Sequence, residues 1–253
     1  MESNKIVAIT QARTGSRRFP NKVLKTINGK SLLEIHLERI MKSKSIDDIY
    51  VATTRSSKDN IIEIIAKNLG IKTYRGSEND VLARFYNCIK NVKPKYIIRL
   101  TSDCPLIDPD LIDEIINFSR EKDYDYISNT LIEHFPDGQD IELFKFSALE
   151  IAYKNAKKKS EREHVTPYII KNSSFHNKNI FKSKNYSSTI NYNSIRMTVD
   201  EEDDFKTIEY LVSKLGLKKN WKEYAEFLKN NSSFVFNSNI IRNEGYLNSI
   251  KDE

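Results

Sequence analysis

The 253-residue chain is 39% hydrophobic and 30% charged, with 41 basic and 35 acidic residues, a net charge of +6 and a pI near 9.0. That composition predicts a soluble globular protein with a real core, and the mild basic excess suits an anionic small substrate or a weak nucleic-acid affinity equally well. No run reaches the roughly 18 apolar residues of a membrane span. Met1 to Lys5 lacks a signal-peptide core, and Cys88 and Cys104 have no metal-like spacing, so a cytoplasmic protein with reduced thiols is expected.

The length allows one large α/β domain or two small ones. Ile6 to Ile9 reads as a buried strand and feeds a loop, Gln11 to Lys22, that carries one glycine, one proline and the cations Arg13, Arg17, Arg18 and Lys22. A loop at the carboxyl end of a first parallel strand is where open α/β sheets bind ligands. Cations and free backbone N–H groups there suit a polyphosphate, although a solvated basic loop has the same composition. Ser31 and Glu34 form a capping-box pattern ahead of Leu33, Leu37, Ile40 and Met41 at helical spacing. A strand over 49–53, a helix capped by Ser56 or Ser57 and stopped by Gly70, a strand over 71–74, a helix opening at Asp80 and a strand over 96–100 follow. Asp108-Pro109 starts the next helix, and 126–128 reads as a fifth strand.

This alternation predicts an α/β protein with a mostly parallel, twisted sheet and helices on both faces. Residues 130–195 break the rhythm with a turn at 135–138, a strand over 140–144 and helices near 147–157 and 160–172, the second capped by Ser160 and Glu163. A returning strand over 195–199, a helix after Asp200 and an amphipathic stretch from Trp221 to Leu228 complete the pattern. The Asn- and Ser-rich tail beyond 230 reads as poorly ordered.

Asp103 and Asp200 each follow a predicted strand. Two carboxylates plus phosphate oxygens make a reasonable Mg²⁺ site, while each Asp could equally cap a helix or turn. Arg75 to Asp80 could read a base or ribose, or simply lead into a helix. Arg162 and His164 could bind an anionic second substrate, although a lone helical His is more often structural. The single Gly15 fits neither a dinucleotide fold nor a P-loop.

The residues Gln11, Ala12, Arg13, Gly15, Ser16, Arg18, Pro20 and Lys22 match the pattern Q-A-R-x-G-S-x-R-x-P-x-K. Ordered blocks follow at 75–85, 103–108, 128–130, 135–138, 162–168 and 198–200. Together they resemble the SpsF-type cytidylyltransferases, in the superfamily of the acylneuraminate and 3-deoxy-manno-octulosonate enzymes. The resemblance implies a nucleotidyltransferase fold similar to GT-A and Rossmann-like domains, CTP as co-substrate, Mg²⁺ as cofactor, pyrophosphate as leaving group and a homodimer. It implies a domain over 1–220 with 130–195 as an arm for acceptor binding and dimerisation, then a C-terminal helix and tail over 221–253.

Carried over, Arg13, Lys22 and Asp103 are the expected catalytic residues. Ala12, Arg13, Gly15, Ser16, Arg18, Lys22, Arg75, Ser77 and Thr101 are expected around CTP, Asn129, Asp137, Arg162 and His164 around the acceptor, and Asp103 and Asp200 on the metal. Ser102, Met197 and Gln139 stand where Gly, Trp and Leu are usual. The expected reaction is cytidylyl transfer to an acidic sugar or a phosphorylated small molecule for surface glycan synthesis, with no nucleic acid or membrane as partner. The competing reading is a non-catalytic nucleotide- or nucleic-acid-binding protein.

Overall fold

The computed structural model describes residues 3–16 and 18–251; Arg17, one of the four loop cations, lies outside them. Strand β1 (Ser3–Gln11) is followed by a small hairpin, β2 (Thr26–Ile27) and β3 (Lys30–Ser31), then α1 (Leu32–Ile40), β4 (Asp48–Thr54), α2 (Asn60–Asn68), β5 (Lys72–Gly76), α3 (Val81–Ile89), β6 (Pro94–Thr101) and α4 (Pro109–Glu121). The chain continues through β7 (Tyr126–Ser128), β8 (Glu142–Lys145), α5 (Phe146–Asn155), α6 (Lys159–His164), α7 (Pro167–Lys171), β9 (Ser183–Asn185), α8 (Glu202–Leu215), α9 (Trp221–Asn230) and α10 (Glu244–Lys251). Among the described residues no helix is long and apolar enough to cross a membrane.

The main sheet has seven strands in the order β5-β4-β1-β6-β8-β7-β9, all parallel except β8, which runs antiparallel to both neighbours. The expected mostly parallel sheet is therefore present. Alternation along β1 splits the core. Val7 and Ile9 pack with Leu82 and Phe85 of α3 and Leu149 of α5. Ala8 packs on the opposite face with Ile40 of α1 and Leu111, Ile112 and Ile115 of α4. Each fully buried Ile or Leu contributes about 1.5–3 kcal/mol on transfer from water. The order reverses between β1 and β6, which opens a crevice at the carboxyl ends of the strands.

Local signals explain the helix starts. Ser31 and Glu34 form the expected box, Asp80 accepts the N–H of Ala83, and Asp108 accepts those of Asp110 and Leu111. Other expectations are corrected. Residues 195–199 form no ladder strand. They run extended past the ends of the sheet and bond to loop backbone, with Met197 N–H on the Asp137 carbonyl at 2.6 Å and Val199 N–H on the Asp103 carbonyl at 2.8 Å. Gly138 permits that approach: its φ is 106°, and a Cβ there would stand 2.6 Å from the Met197 carbonyl carbon.

The helix expected over 160–172 is two helices, because Val165 leaves the helical region at φ 73° and ψ −57° and Pro167, which has no N–H, opens the second. Its first turn is capped by Glu161, not Glu163, through the N–H groups of Lys157 and Lys158. Asp200 does not cap α8; the Asp204 carboxylate reaches back to the N–H groups of Asp200 and Glu201 at 2.9 and 3.0 Å. Within the irregular 130–195 region, β8 is an interior strand of the main sheet. Residues 231–251 are structured rather than loose, and α10 packs against α6.

Candidate active site

The carboxyl ends of β1 and β6 open into one cavity of about 1360 Å³. Its walls come from the 11–23 loop, the entry to α3, the 101–104 turn, the α6–α7 junction, residues 196–200 and α10. Asp59, buried before α2, anchors the loop: the Thr14 N–H and hydroxyl donate to Asp59 at 2.8 and 2.7 Å, and the Thr54 hydroxyl donates to its other oxygen. Burial opposes the charge on Asp59, but these donors outweigh it and hold the carboxyl below its usual range.

Lys22 stands between the two expected metal ligands. Its Nζ lies 2.9 Å from Asp103 and 2.7 Å from Asp200. Burial works against the ammonium, yet Asp103 and Asp200 hold its pKa above the ordinary lysine value. Burial also opposes the Asp103 charge, and Lys22 overcomes it, keeping that carboxyl well below the usual range. Arg18 reaches Asp200 at 3.2 Å, and also Glu201 and Glu244. Arg13 meets Glu78 at 3.4 Å.

Buried Arg196 ties the far side together. It donates to Asp204 at 2.7 Å, to Asp137 at 2.5 Å and to Asp200 at 3.1 Å. Below the 101–104 turn, His36 is fully buried. Its Nδ1 donates to the Cys104 carbonyl and its Nε2 accepts from the Thr10 hydroxyl, both at 2.9 Å; burial lowers its pKa to about 4, so the ring is neutral.

Of the expected nucleotide residues, Ala12, Arg13, Ser16, Arg18, Lys22 and Thr101 line the cavity. Gly15 sits just behind, beside Glu78. Arg75 does not face the cavity: it bonds the carbonyls of Thr54 and Ser56 and the side chains of Asn60 and Glu63. The Ser77 hydroxyl accepts the N–H of Asp80 and shapes the turn rather than lining the cavity. Beside them Arg84, which belongs to the 75–85 block but was given no site role from sequence, does line it, in a slot left by Gly76, where a Cβ would come within 2.9 Å of the Arg84 Cγ.

Of the expected acceptor residues, Asp137 and His164 line the cavity. Arg162 is committed elsewhere. It grips Asp80 through Nε and Nη2, donates to the Tyr153 carbonyl at 2.8 Å and lies over the Tyr153 ring. Asn129 is a buried brace, joining the Gln139 carbonyl to the Ile141 N–H. Gln139 in turn spans the Asp108 N–H and the Leu106 carbonyl.

Val165, at φ 73° and ψ −57°, makes a strained γ-turn closed by the Thr166 N–H on the His164 carbonyl; both flanking side chains face the cavity. Near them Arg99 pairs with Glu142, which also accepts from Tyr126 and Thr166. His164 meets Ser249 and the ring of Tyr246 from α10, and burial lowers its pKa. Arg242 reaches Asp140 at 2.7 Å, while burial pushes the Asp140 carboxyl up to about 7.

A seven-stranded α/β sheet whose first loop is cationic, facing two carboxylates across one cavity, defines a nucleotide-handling enzyme. Residues 7–240 match the cytidylyltransferase family model, and the chain belongs to that family: it is a CTP-dependent nucleotidyltransferase. It is 41% identical over 246 residues to an uncharacterized protein of Methanocaldococcus jannaschii, covering 96% of this chain and 98% of the other. It is 34% identical to the spore coat polysaccharide biosynthesis protein SpsF of Bacillus subtilis, covering 84% of this chain and 88% of that one. Among solved structures, a cytidylyltransferase from Leptospira borgpetersenii superposes with a TM-score of 0.87 at 31% identity, covering 95% of this chain and all of that one.

Proposed function

We propose that this enzyme transfers CMP from CTP to an anionic small-molecule acceptor, releasing pyrophosphate, in the building of a surface polysaccharide. The observation that carries the reading is the convergence of Asp103 and Asp200 on the Lys22 ammonium at the end of the cationic loop. The name of the Bacillus relative supports the polysaccharide context. The acceptor is a 2-keto-3-deoxy sugar acid attacking through its anomeric hydroxyl, or a phosphorylated small molecule attacking through its phosphate.

Lys22, Arg18 and Arg13 would hold the triphosphate, with Ala12, Ser16 and Thr101 beside the nucleotide. The acceptor oxygen forms a bond to the α-phosphorus, the bond from that phosphorus to the β-bridging oxygen breaks, and these cations offset charge on the departing pyrophosphate. Asp103 and Asp200 fit a divalent cation. Their oxygens already converge on one cation, and two hard carboxylate oxygens are the protein share of a Mg²⁺ site otherwise filled by phosphate and water. When bound there, Mg²⁺ would neutralise phosphate charge and favour the ionised acceptor oxygen. Lys22 would then leave the carboxylates for the phosphates.

Asp137 and His164, with Lys159 and Lys171 also lining the cavity, would face the acceptor. Ile132, Phe175, Ile180 and Ile190 are 41–52% exposed in the 130–195 region and support its reading as the face of a homodimer. The place of work would be the cytoplasm, where CTP is available.

The test is pyrophosphate release with CTP, Mg²⁺ and a panel of sugar acids and phosphorylated small molecules, with ATP, GTP and UTP as controls. Release requiring both CTP and one acceptor supports the reading and names the acceptor. Asp103→Asn is expected to lower kcat by about 10²–10³, as for loss of one preorganised charge-stabilising group; wild-type turnover in that variant removes Asp103 from the site.

A further inference from the structure

The last helix is tied to the protein unevenly. The segment ahead of α10 is firmly held: Asn237, 1% exposed, donates to Asp204 at 2.8 Å, and Arg242 donates to Asp140 at 2.7 Å and to the Phe135 carbonyl at 3.2 Å. Asn243 then turns the chain at a left-handed φ of 59° and donates to Glu133. Beyond that turn no described side chain of α10 is buried, and Leu247 and Ile250 are 46% and 42% exposed. The helix reaches cavity residues near both of its ends. Glu244 meets Arg18 at 3.4 Å, and the Ser249 hydroxyl lies 3.2 Å from His164 Nε2, with the Tyr246 ring edge-on to the imidazole. Exposed ion pairs are worth about 0.2–1 kcal/mol, and a segment with few buried apolar contacts opens at low cost.

Both contacts fall on residues with another role. Arg18 is assigned to the triphosphate and His164 to the acceptor, so α10 covers one group of each subsite. A triphosphate that reaches Arg18 competes with Glu244 for the same guanidinium and repels its carboxylate, so nucleotide binds more tightly when α10 is away. A ligand shifts an equilibrium by its differential affinity for the two states. The coupling is reciprocal: the factor by which release of α10 tightens the nucleotide is the factor by which the nucleotide releases α10. Asn243 is the hinge, because the anchors at Asn237 and Arg242 precede it.

We propose that α10 is a strap that covers His164 in the unliganded enzyme, and that the triphosphate releases it by taking Arg18 from Glu244, which opens the acceptor side once nucleotide is bound. This rests on the reading of the cavity as the site of CTP and acceptor.

The test is hydrogen–deuterium exchange of the full-length protein, wild type and Glu244→Gln, alone, with CTP and with inorganic tripolyphosphate. Both ligands are expected to slow exchange in the 11–23 loop and to speed it in α10 by about two- to five-fold, the worth of one exposed ion pair. In Glu244→Gln, α10 exchanges faster from the start and the ligands add little. With tripolyphosphate, which leaves the acceptor side empty, carbethoxylation of His164 by diethyl pyrocarbonate rises by a similar factor. Slower or unchanged exchange of α10 while the 11–23 loop is protected overturns the proposal, as does an equal ligand effect in Glu244→Gln or an unchanged rate at His164. An 11–23 loop that neither ligand protects overturns the reading of the cavity itself.

Discussion

The Lys22 ammonium lies 2.7 Å from the Oδ1 of Asp200, a residue 178 positions later in the chain. Asp103 completes the contact from the other side at 2.9 Å. The loop thus carries its own cation to the point where two carboxylates meet, which holds the Asp103 carboxyl below its usual range and keeps both side chains oriented without a divalent ion. Replacing Lys22 by Met takes from Asp103 its paired ammonium, while Asp200 keeps Arg18 and Arg196. In the absence of divalent ions the variant is expected to lose about 3 kcal/mol of stability. Mg²⁺ should then raise its Tm more than that of the wild type, because no ammonium competes. Equal Mg²⁺-induced shifts in thermal denaturation would count against a shared position.

His36 makes stability depend on pH in a calculable direction. Unfolded, it takes a proton near its ordinary 6.5; folded, it resists until about 4. Between those values the unfolded state binds more protons, so the His36 contribution is complete above pH 6.5 and is lost as pH falls towards 4. The slope is at most about 1.4 kcal/mol per pH unit. Denaturant melts of wild type and His36→Gln at pH 5.0 and 7.5 isolate the effect. The gap between them should narrow at the lower pH; a constant gap would mean that His36 is not held neutral.

Arg162 is expected to act as a strut. Arg162→Gln removes its grip on Asp80 and should cost about 1–2 kcal/mol in stability. CTP affinity and acceptor KM should stay within about two-fold of wild type. A tenfold rise in acceptor KM with unchanged stability would return Arg162 to the acceptor site.

Much of this frame was legible in the chain. The box at Ser31 and Glu34 and the caps at Asp80 and Asp108 are local, so their side chains act within a few residues of where they are written. The engagements of Arg162, Asn129 and Arg75 were not legible for the opposite reason: their partners, such as Asp80 for Arg162, are set by packing and carry no fixed spacing. Arg196 was missed because Asp137 comes from a distant turn. Residues 195–199 have strand composition but no free sheet edge to join. A glycine one residue after an arginine at a strand end, followed by a second arginine in the next helix, was the available signal for Arg84.

The tail has a measurable effect in this account. Glu244 of α10 lies 3.4 Å from Arg18, one of the cations assigned to the triphosphate. Glu244→Gln frees that cation and should tighten CTP binding by about two-fold, the scale of an exposed ion pair. The gain should vanish at high salt. Weaker CTP binding in this variant would mean that Glu244 supports the nucleotide rather than competing with it.

The most direct test of the central claim is a titration of CTP into wild type and into the double variant Asp103→Asn, Asp200→Asn, with and without Mg²⁺. Wild type should bind CTP more tightly with Mg²⁺ than without it, and the double variant should lose that difference while still binding CTP through Arg13, Arg18 and Lys22. Equal Mg²⁺ enhancement in both proteins would contradict the assignment of Asp103 and Asp200 as the pair that holds the metal.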